Sequence, residues 1–598
     1  MADDRYSLFD AIRALFPTGY LDYQGYQARL EGKPRNLHKS FVRPPCQAVD
    51  LFAIAAFLLH RSGGYHHISP MVDGASTSAS LVIDESSRSQ WIEAGRKWRG
   101  EGEDALPAPP KALTDAWREL FRFGRNPLFL SSSGKSRPRP WWRAAMALLA
   151  IADEAARDLG FEQGSEKSAQ AAMAEVAMRD SIQRDRKVYT VSNASNDQVC
   201  VLPKSRTPKV GCTLRSLSHN LSLLPSRGLA RAFWSPHPQI RSAEPAVAAA
   251  SPFNLIVIPL PYQVQAKAFK GTPAKEASWG WFHVDPHWCP SSEDVDIIDE
   301  GFDQFWQFVE GVLDSGARDV GTVHGLIFPE AALSYEVFTR LCDKLKDRQG
   351  FELLVSGVFD SQNQGGDIRP GNFAAMARRD PGRDGKMTFN ISTREKHHRW
   401  RIEKSQIEAY ALGSSLDSSR GWWEQIDILN RSLDVFVLRG VATVTTLICE
   451  DLARSDPCQE LVRGIGPNLV IALLMDGPQL KDRWPARYAT VLAEDPGSSV
   501  LTVTSAGLLR RSNDTRQFPA SDKIGLWRDD TGRTSELSLA PSAQALCLTL
   551  QPTAIQERTL DGRADNTGSQ SWRLTGMAPV IIRDPNKRIM DGQWPDGV

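Results

Sequence analysis

The chain has 598 residues, 41% hydrophobic and 24% charged, with 71 basic and 71 acidic side chains that cancel. That length is too great for one core and points to about two to four domains. The composition is that of a globular protein and not of a disordered one, and zero net charge singles out no partner by bulk charge.

The start, MADDRYSLFDAI, is acidic and lacks the apolar core of a secretory signal. The longest apolar run, LFAIAAFLL at 51–59, is too short for a membrane span and reads as a buried helix. Eight scattered cysteines without paired spacing suit free thiols in a reducing compartment. A cytoplasmic protein with no membrane partner is expected.

Residues 1–160 read as a mainly helical domain. SLFDAIRALF, LTDAWRELFRFG and WWRAAMALLAIADEAARDL carry apolar residues at helical spacing, and GEDALPAPPK breaks the pattern at 102–111. Residues 161–250 form a mixed segment. A helical stretch near 165–185 gives way to short β-like pieces with basic turns, and then to the Pro- and Ala-rich linker SPHPQIRSAEPAVAAASP at 235–252. Between Arg179 and Arg231 ten basic residues face three acids. Lys204, Arg206, Lys209 and Arg215 are therefore candidate contacts for nucleic acid or an acidic partner, against the plainer reading of a solvated surface or interdomain seam.

From 251 to 585 strands alternate with helices, with hairpin-like pairs among them, which predicts an α/β domain with mixed sheets. FNLIVIPLPY opens it. TVHGLIFPEAAL reads as a strand running into a helix, and FELLVSGVF as a strand. GNFAAMARR and KMTFNIS read as a strand pair, and VFVLRGVATVTTLI as two strands around Gly440. PNLVIALLM and SSVLTVTSAG are further strands. Residues 586–598 read as a tail.

Three strand ends carry reactive side chains: Glu330 after GLIFP, Lys396 after FNISTRE, and Cys449 after TTLI. Each alone fits a structural role as well: a helix-start acid, a solvated strand-end charge, a small core thiol. Together, in this order, they resemble the nitrilase superfamily of carbon–nitrogen hydrolases over about 330 residues. The resemblance implies a four-layer αββα sandwich, commonly in a homo-oligomer, with a Cys-Glu-Lys site; here the helical domain read from apolar spacing precedes it. Ser505 stands where the family usually has Asn.

In such a site Glu330 takes the Cys449 thiol proton, Cys449 attacks an amide carbon, and Lys396 with the backbone N–H of Glu450 holds the oxyanion. The resemblance also implies a second carboxylate after the lysine, for which Glu403 is the candidate. Asp451 reads as a helix cap, and the helix start after Cys449 as a support for thiolate. The run Cys449-Glu450-Asp451 looks most like the glutaminase domains of glutamine-dependent synthetases, which favours a small-molecule amide as substrate. Acyl transfer to an amine is the variant of the same chemistry. The competing reading is a non-catalytic scaffold whose N-terminal module binds nucleic acid or protein. The basic stretch also resembles the region preceding the nitrilase domain in bacterial antiviral reverse transcriptase–nitrilase proteins, which implies a defence role, although no polymerase motif is present.

Other motifs fall away. SSSGKS at 131–136 lacks the first glycine of a phosphate loop, since position 129 is Phe. SGGYHH at 62–67 lacks the acid and hydroxyl of a pyrophosphatase loop. HVDPHWC at 283–289 matches no zinc spacing. No metal and no cofactor are expected, and His283 is placed at the border of the substrate pocket.

Overall fold

The opening strand Phe253–Val257 shows how the fold is put together. Phe253, Leu255 and Val257 enter one core, whereas Ile256 enters another. A two-residue period with both faces apolar is what a strand buried on both sides requires. The structure, a computed structural model, describes residues 6–595 except 35, 71–79, 104, 130–137, 162–167, 175–187, 206, 208–212, 227–229, 237–249, 364–365, 383–384 and 565–568.

The N-terminal region packs the helices Leu8–Leu15, Ala48–Ser62, Glu85–Arg99, Lys111–Arg122 and Pro140–Ala155. Ala48–Ser62 is apolar on nearly all sides and lies in the middle, as such a helix must. It stops at Gly63, whose φ of 71° suits a left-handed cap. Among the described residues no helix is long and apolar enough to cross a membrane.

The strands follow in order: β1 (Ile68–Pro70), β2 (Leu81–Ile83), β3 (Val199–Pro203), β4 (Leu221–Pro225), β5 (Ala230–Ser235), β6 (Phe253–Val257), β7 (Phe269–Pro273), β8 (Trp279–Val284), β9 (Gly325–Ile327), β10 (Leu353–Gln362) and β11 (Ile368–Pro381). Then come β12 (Met387–Glu395), β13 (Arg401–Ile402), β14 (Gly421–Glu424), β15 (Arg431–Leu438), β16 (Ala442–Ile448), β17 (Leu469–Leu474), β18 (Ser499–Thr504), β19 (Lys523–Arg528), β20 (Thr534–Ser538), β21 (Ala545–Ile555) and β22 (Ser569–Val580). One seven-stranded sheet runs β12-β11-β10-β9-β6-β21-β22, a second runs β20-β19-β18-β17-β16-β15-β5, and a four-stranded sheet runs β13-β14-β8-β7.

The two large sheets face each other, with β11 against β16, β12 against β15 and β18 against β22. Helices Val295–Val320 and Tyr335–Leu345 cover the outer face of the first sheet, and Trp484–Glu494 lies on the second. Strands β9 and β10 are parallel, β11 reverses, and β12 reverses again, so β9 and β12 end at the same edge. The expected pair around residues 373–395 is β11 with β12, in register Phe373↔Glu395. The expected turn at Gly440 joins β15 to β16 with positive φ at both Arg439 and Gly440, the twist that a tight hairpin needs. Arg439 is held there by Glu352, with Nη2 donating to Oε1 at 2.6 Å.

The expected boundaries differ from the structure at both ends of the α/β region. β5 lies upstream of residue 251, yet it pairs with β15 from Ala230↔Arg431 to Ser235↔Phe436 and forms the edge of the second sheet. Most of the expected linker and of the helix near 165–185 lies outside the described residues. At the other end Trp594 is buried, stacks on Phe305 at 4.7 Å and donates to the Gly301 carbonyl at 3.1 Å, so the expected tail is docked as far as 595.

Arg563 ties the helical region to the α/β region. Its buried guanidinium donates to Asp153 (3.2 Å) on helix Pro140–Ala155, to Asp561 (2.9 Å) and to the Leu217 carbonyl (2.5 Å). Asp153 also accepts the backbone N–H groups of His219, Asn220 and Leu221. Arg563→Ala removes the cation and leaves two carboxylates buried. It is expected to cost about 3–5 kcal/mol, read as a fall in the urea midpoint of the transition that releases the N-terminal helices. An unchanged midpoint would contradict this coupling.

Candidate active site

Glu330 sits in a turn directly after β9, not at the start of a helix; the next helix begins at Tyr335 and is capped by Ser334. The turn is pressed against β10. Gly357 N–H donates to the Pro329 carbonyl at 3.0 Å and the Gly357 carbonyl accepts from Ala332 N–H at 3.0 Å. A Cβ at Gly357 would lie 2.4 Å from the Glu330 Cα, so this close approach demands glycine.

Lys396 follows β12 and is fully buried. Its backbone N–H donates to the Asn372 carbonyl on β11 at 2.8 Å. Its Nζ donates to Glu330 Oε1 at 2.9 Å and to Glu424 Oε2 at 2.7 Å. Asn372 Nδ2 completes the group by donating to Glu330 Oε1 at 2.7 Å and Glu424 Oε1 at 2.8 Å. Glu424 Oε2 also accepts the Trp400 N–H at 2.9 Å. Glu330 Oε2 and Asn372 Oδ1 are buried with no hydrogen-bond partner.

Cys449 ends β16 with φ 42° and ψ −109°. For a residue with a Cβ this is a strained elbow, costing on the order of 1–3 kcal/mol. Its backbone N–H donates to the Leu473 carbonyl at 2.9 Å. Asp451 does not cap the helix as expected. Its carboxylate accepts the N–H groups of His397 (2.9 Å) and His398 (3.1 Å) and pairs with Arg394 at 3.0 Å. It therefore bolts the segment after β12 to the elbow after β16.

The electrostatics follow from burial. Burial pushes the Cys449 thiol well above its ordinary value, the Glu330 charge pushes the same way, and Lys396 opposes them. Glu330 is raised by burial, against the pull of Lys396. Burial disfavours the Lys396 ammonium, but the Glu330 and Glu424 carboxylates outweigh it and hold its pKa well above the usual value. Burial would also raise Asp451, but His397, His398 and Arg394 bring its carboxyl well below the usual range. The expected help to the thiolate from the following helix is slight, since that helix is one turn long, Glu450–Ala453.

The structure thus brings Glu330 and Lys396 into contact and sets Cys449 within their electrostatic reach. Glu450 is the residue after the elbow, with its side chain on Arg454 at 2.7 Å. Glu403 is not in the site. It is 56% exposed, pairs with Arg401 at 3.1 Å, and starts the short helix Lys404–Ala409. The carboxylate beside Lys396 is Glu424, which the sequence reading missed together with Asn372. The strand GWWE carried a signal, since a two-residue period puts Glu424 on the same buried face as Trp422. His283 is exposed on β8. Ser505 caps helix Ala506–Asp514, accepting from Leu508 N–H at 3.2 Å. The Cys458 side chain lies outside the described residues. Of the basic residues proposed to meet a partner, Lys204 and Arg215 point inward: Lys204 donates to the Arg215 and Ser218 carbonyls, and Arg215 to Thr207. Arg206 and Lys209 lie outside the described residues, as does the SSSGKS loop.

No protein-family model matches the sequence, and no curated protein matches it. Among solved structures, a glutamine-dependent NAD+ synthetase from Acinetobacter baumannii aligns at 12% identity with a TM-score of 0.30. The alignment covers 55% of this chain and 49% of that one, so this chain spans about half the length of the synthetase. An amidase from Nesterenkonia sp. aligns at 15% identity over 50% of this chain and 90% of its own, with a TM-score of 0.27. A Saccharomyces cerevisiae member of branch 10 of the nitrilase superfamily aligns at 11% identity over the same shares, also at 0.27.

Removing the shared cation separates the two carboxylate assignments. Lys396→Met leaves Glu330 and Glu424 buried without their counter-charge and is expected to cost about 3–5 kcal/mol. Glu403→Gln, at an exposed position, is expected to stay within about 0.5 kcal/mol of the parent. Thermal unfolding of both variants checks this; equal shifts would argue against the buried cluster.

Proposed function

We propose that the chain is an amidase-type carbon–nitrogen hydrolase of the nitrilase superfamily, cleaving a non-peptide C–N bond of a small amide through a thioester on Cys449. The observation that carries the reading is a buried ammonium, Lys396, shared by Glu330 and Glu424 beside a cysteine held at a strained elbow, with one Glu330 oxygen left without a partner.

In this reading Glu330 Oε2 accepts the thiol proton as Sγ attacks the amide carbon. Moving that proton from sulfur to carboxylate leaves the net charge of the buried site unchanged, which matters where a new net charge would be costly. Burial raises the Glu330 carboxyl, which makes it a better proton acceptor than an ordinary carboxylate. The oxyanion is met by the Lys396 Nζ and the Glu450 backbone N–H. Glu330 then protonates the departing amine, activates water, and the thioester is hydrolysed. Glu424 and Asn372 act through the others: they fix the ammonium and the Glu330 carboxylate in place.

Ammonia release from a panel of primary amides tests the assignment. Cys449→Ala is expected to lower kcat by on the order of 10⁴ or more. Glu424→Gln, which loosens Lys396, is expected to lower it by about 10². Equal activity of Cys449→Ala and the parent would remove Cys449 as the nucleophile.

A further inference from the structure

The four-stranded sheet has one face turned away from the core, and that face is unusual. Cross-strand register places Arg401, Trp423, Trp281 and Thr272 in one row across β13, β14, β8 and β7. Trp279 stands two residues from Trp281 on the same side. Trp279 and Trp423 are 41% and 37% exposed, whereas Trp422, on the opposite face, is buried. Trp279 and Trp281 meet edge to face at 5.7 Å. The Arg399 guanidinium lies 5.4 Å from the Trp281 ring centre and that of Arg401 5.2 Å from the Trp423 ring centre.

These rings wall an open cleft of about 580 Å³ that His398, Arg399 and Arg454 also line. A volume of this order holds a small organic ligand. Its charged lining is basic. Arg454 is partly answered by Glu450 and His398 faces Asp451 at 3.3 Å, but Arg399 donates Nη2 to the Ile426 carbonyl and keeps a buried Nε without a hydrogen-bond partner. Tryptophans exposed or partly exposed together on one face suit a flat ring, which stacks on them whatever its identity. Arginines beside them suit an anionic group.

The cleft adjoins the cysteine elbow: His398 and Arg454, which line it, pair with Asp451 at 3.3 Å and Glu450 at 2.7 Å, the two residues after Cys449. Lys396 and His398–Arg399 lie on the same loop, and Trp423 and Glu424 are neighbours on β14 with side chains on opposite faces. We infer that this cleft binds a ligand that joins a flat aromatic ring to an anionic group, and that the amide cleaved at Cys449 carries such a group. The second half rests on the amidase reading; the binding half does not. A nucleoside phosphate and an aryl carboxylate share this chemistry.

The test is binding to the full-length Cys449→Ala protein, which needs no turnover. Tryptophan fluorescence is followed with adenosine 5′-monophosphate, with 1-naphthoate, and with adenosine, 1-naphthalenemethanol and inorganic phosphate as probes lacking one of the two features. Saturable quenching by at least one aromatic anion, about tenfold or more tighter than its uncharged counterpart and than phosphate, supports the inference; the better of the two anions names the source. Trp423→Ala and Arg399→Met are each expected to weaken that binding about tenfold or more. No saturable quenching by either anion, or binding unchanged in both variants, overturns it. So does preferential binding of single-stranded RNA, or a dimer in sedimentation that Trp423→Ala dissociates, since the row would then be an interface. Failure of the amidase reading would appear separately, as ammonia release independent of Cys449.

Discussion

One ammonium shared by two carboxylates in a dry interior is the constraint around which the α/β region is arranged. Lys396 has no solvent exposure, and neither has most of Glu330 or Glu424. Three ionised groups in such a place are tolerable only with near-ideal geometry, because each loses several kcal/mol of hydration. The fold supplies that geometry from separate directions. β9 delivers Glu330, β12 delivers Lys396, the small sheet delivers Glu424, and Asn372 on β11 braces both acids. Asp451 then locks the Lys396 segment to the cysteine elbow from the other large sheet. Nothing in any one of these segments makes sense without the others.

This division explains which parts could be read from the chain. Glu330, Lys396 and Cys449 each follow a segment legible as a strand, and their order along the chain marked them. Glu424 ends a four-residue strand between loops, too short for periodicity to stand out, and so an exposed acid seven residues after Lys396 was preferred to it. Asp451 directly follows a nucleophile-like elbow and resembles a cap; its real partners are backbone groups more than fifty residues away, which no local pattern reveals. Lys204 and Arg215 looked like surface cations because charge alone was visible. Lys204 is buried on the Arg215 and Ser218 carbonyls, and Arg215 on the Thr207 hydroxyl.

The strained conformation of Cys449 and the pressed turn at Glu330 are two versions of one demand. Each forces backbone closer or more twisted than a free chain would choose, and each is held by neighbours: Leu473 on β17 for the elbow, Gly357 on β10 for the turn. Such strain persists only where the surroundings over-determine it. The small sheet, by contrast, leaves the rings of Trp279 and Trp423 uncovered on one face, so the accessible aromatic surface lies apart from the buried elbow.

The edge strand β5 has a consequence for how the molecule comes into being. Its neighbour β15 lies about 200 residues later in the chain. At a synthesis rate of about 5–20 residues per second, β5 leaves the ribosome roughly 10–40 s before β15 exists. During that interval its unpaired backbone groups have no template from the same sheet. The second large sheet therefore gains this edge only after β15 has been made, and Arg563, which ties the N-terminal helices to the α/β region, is made later still.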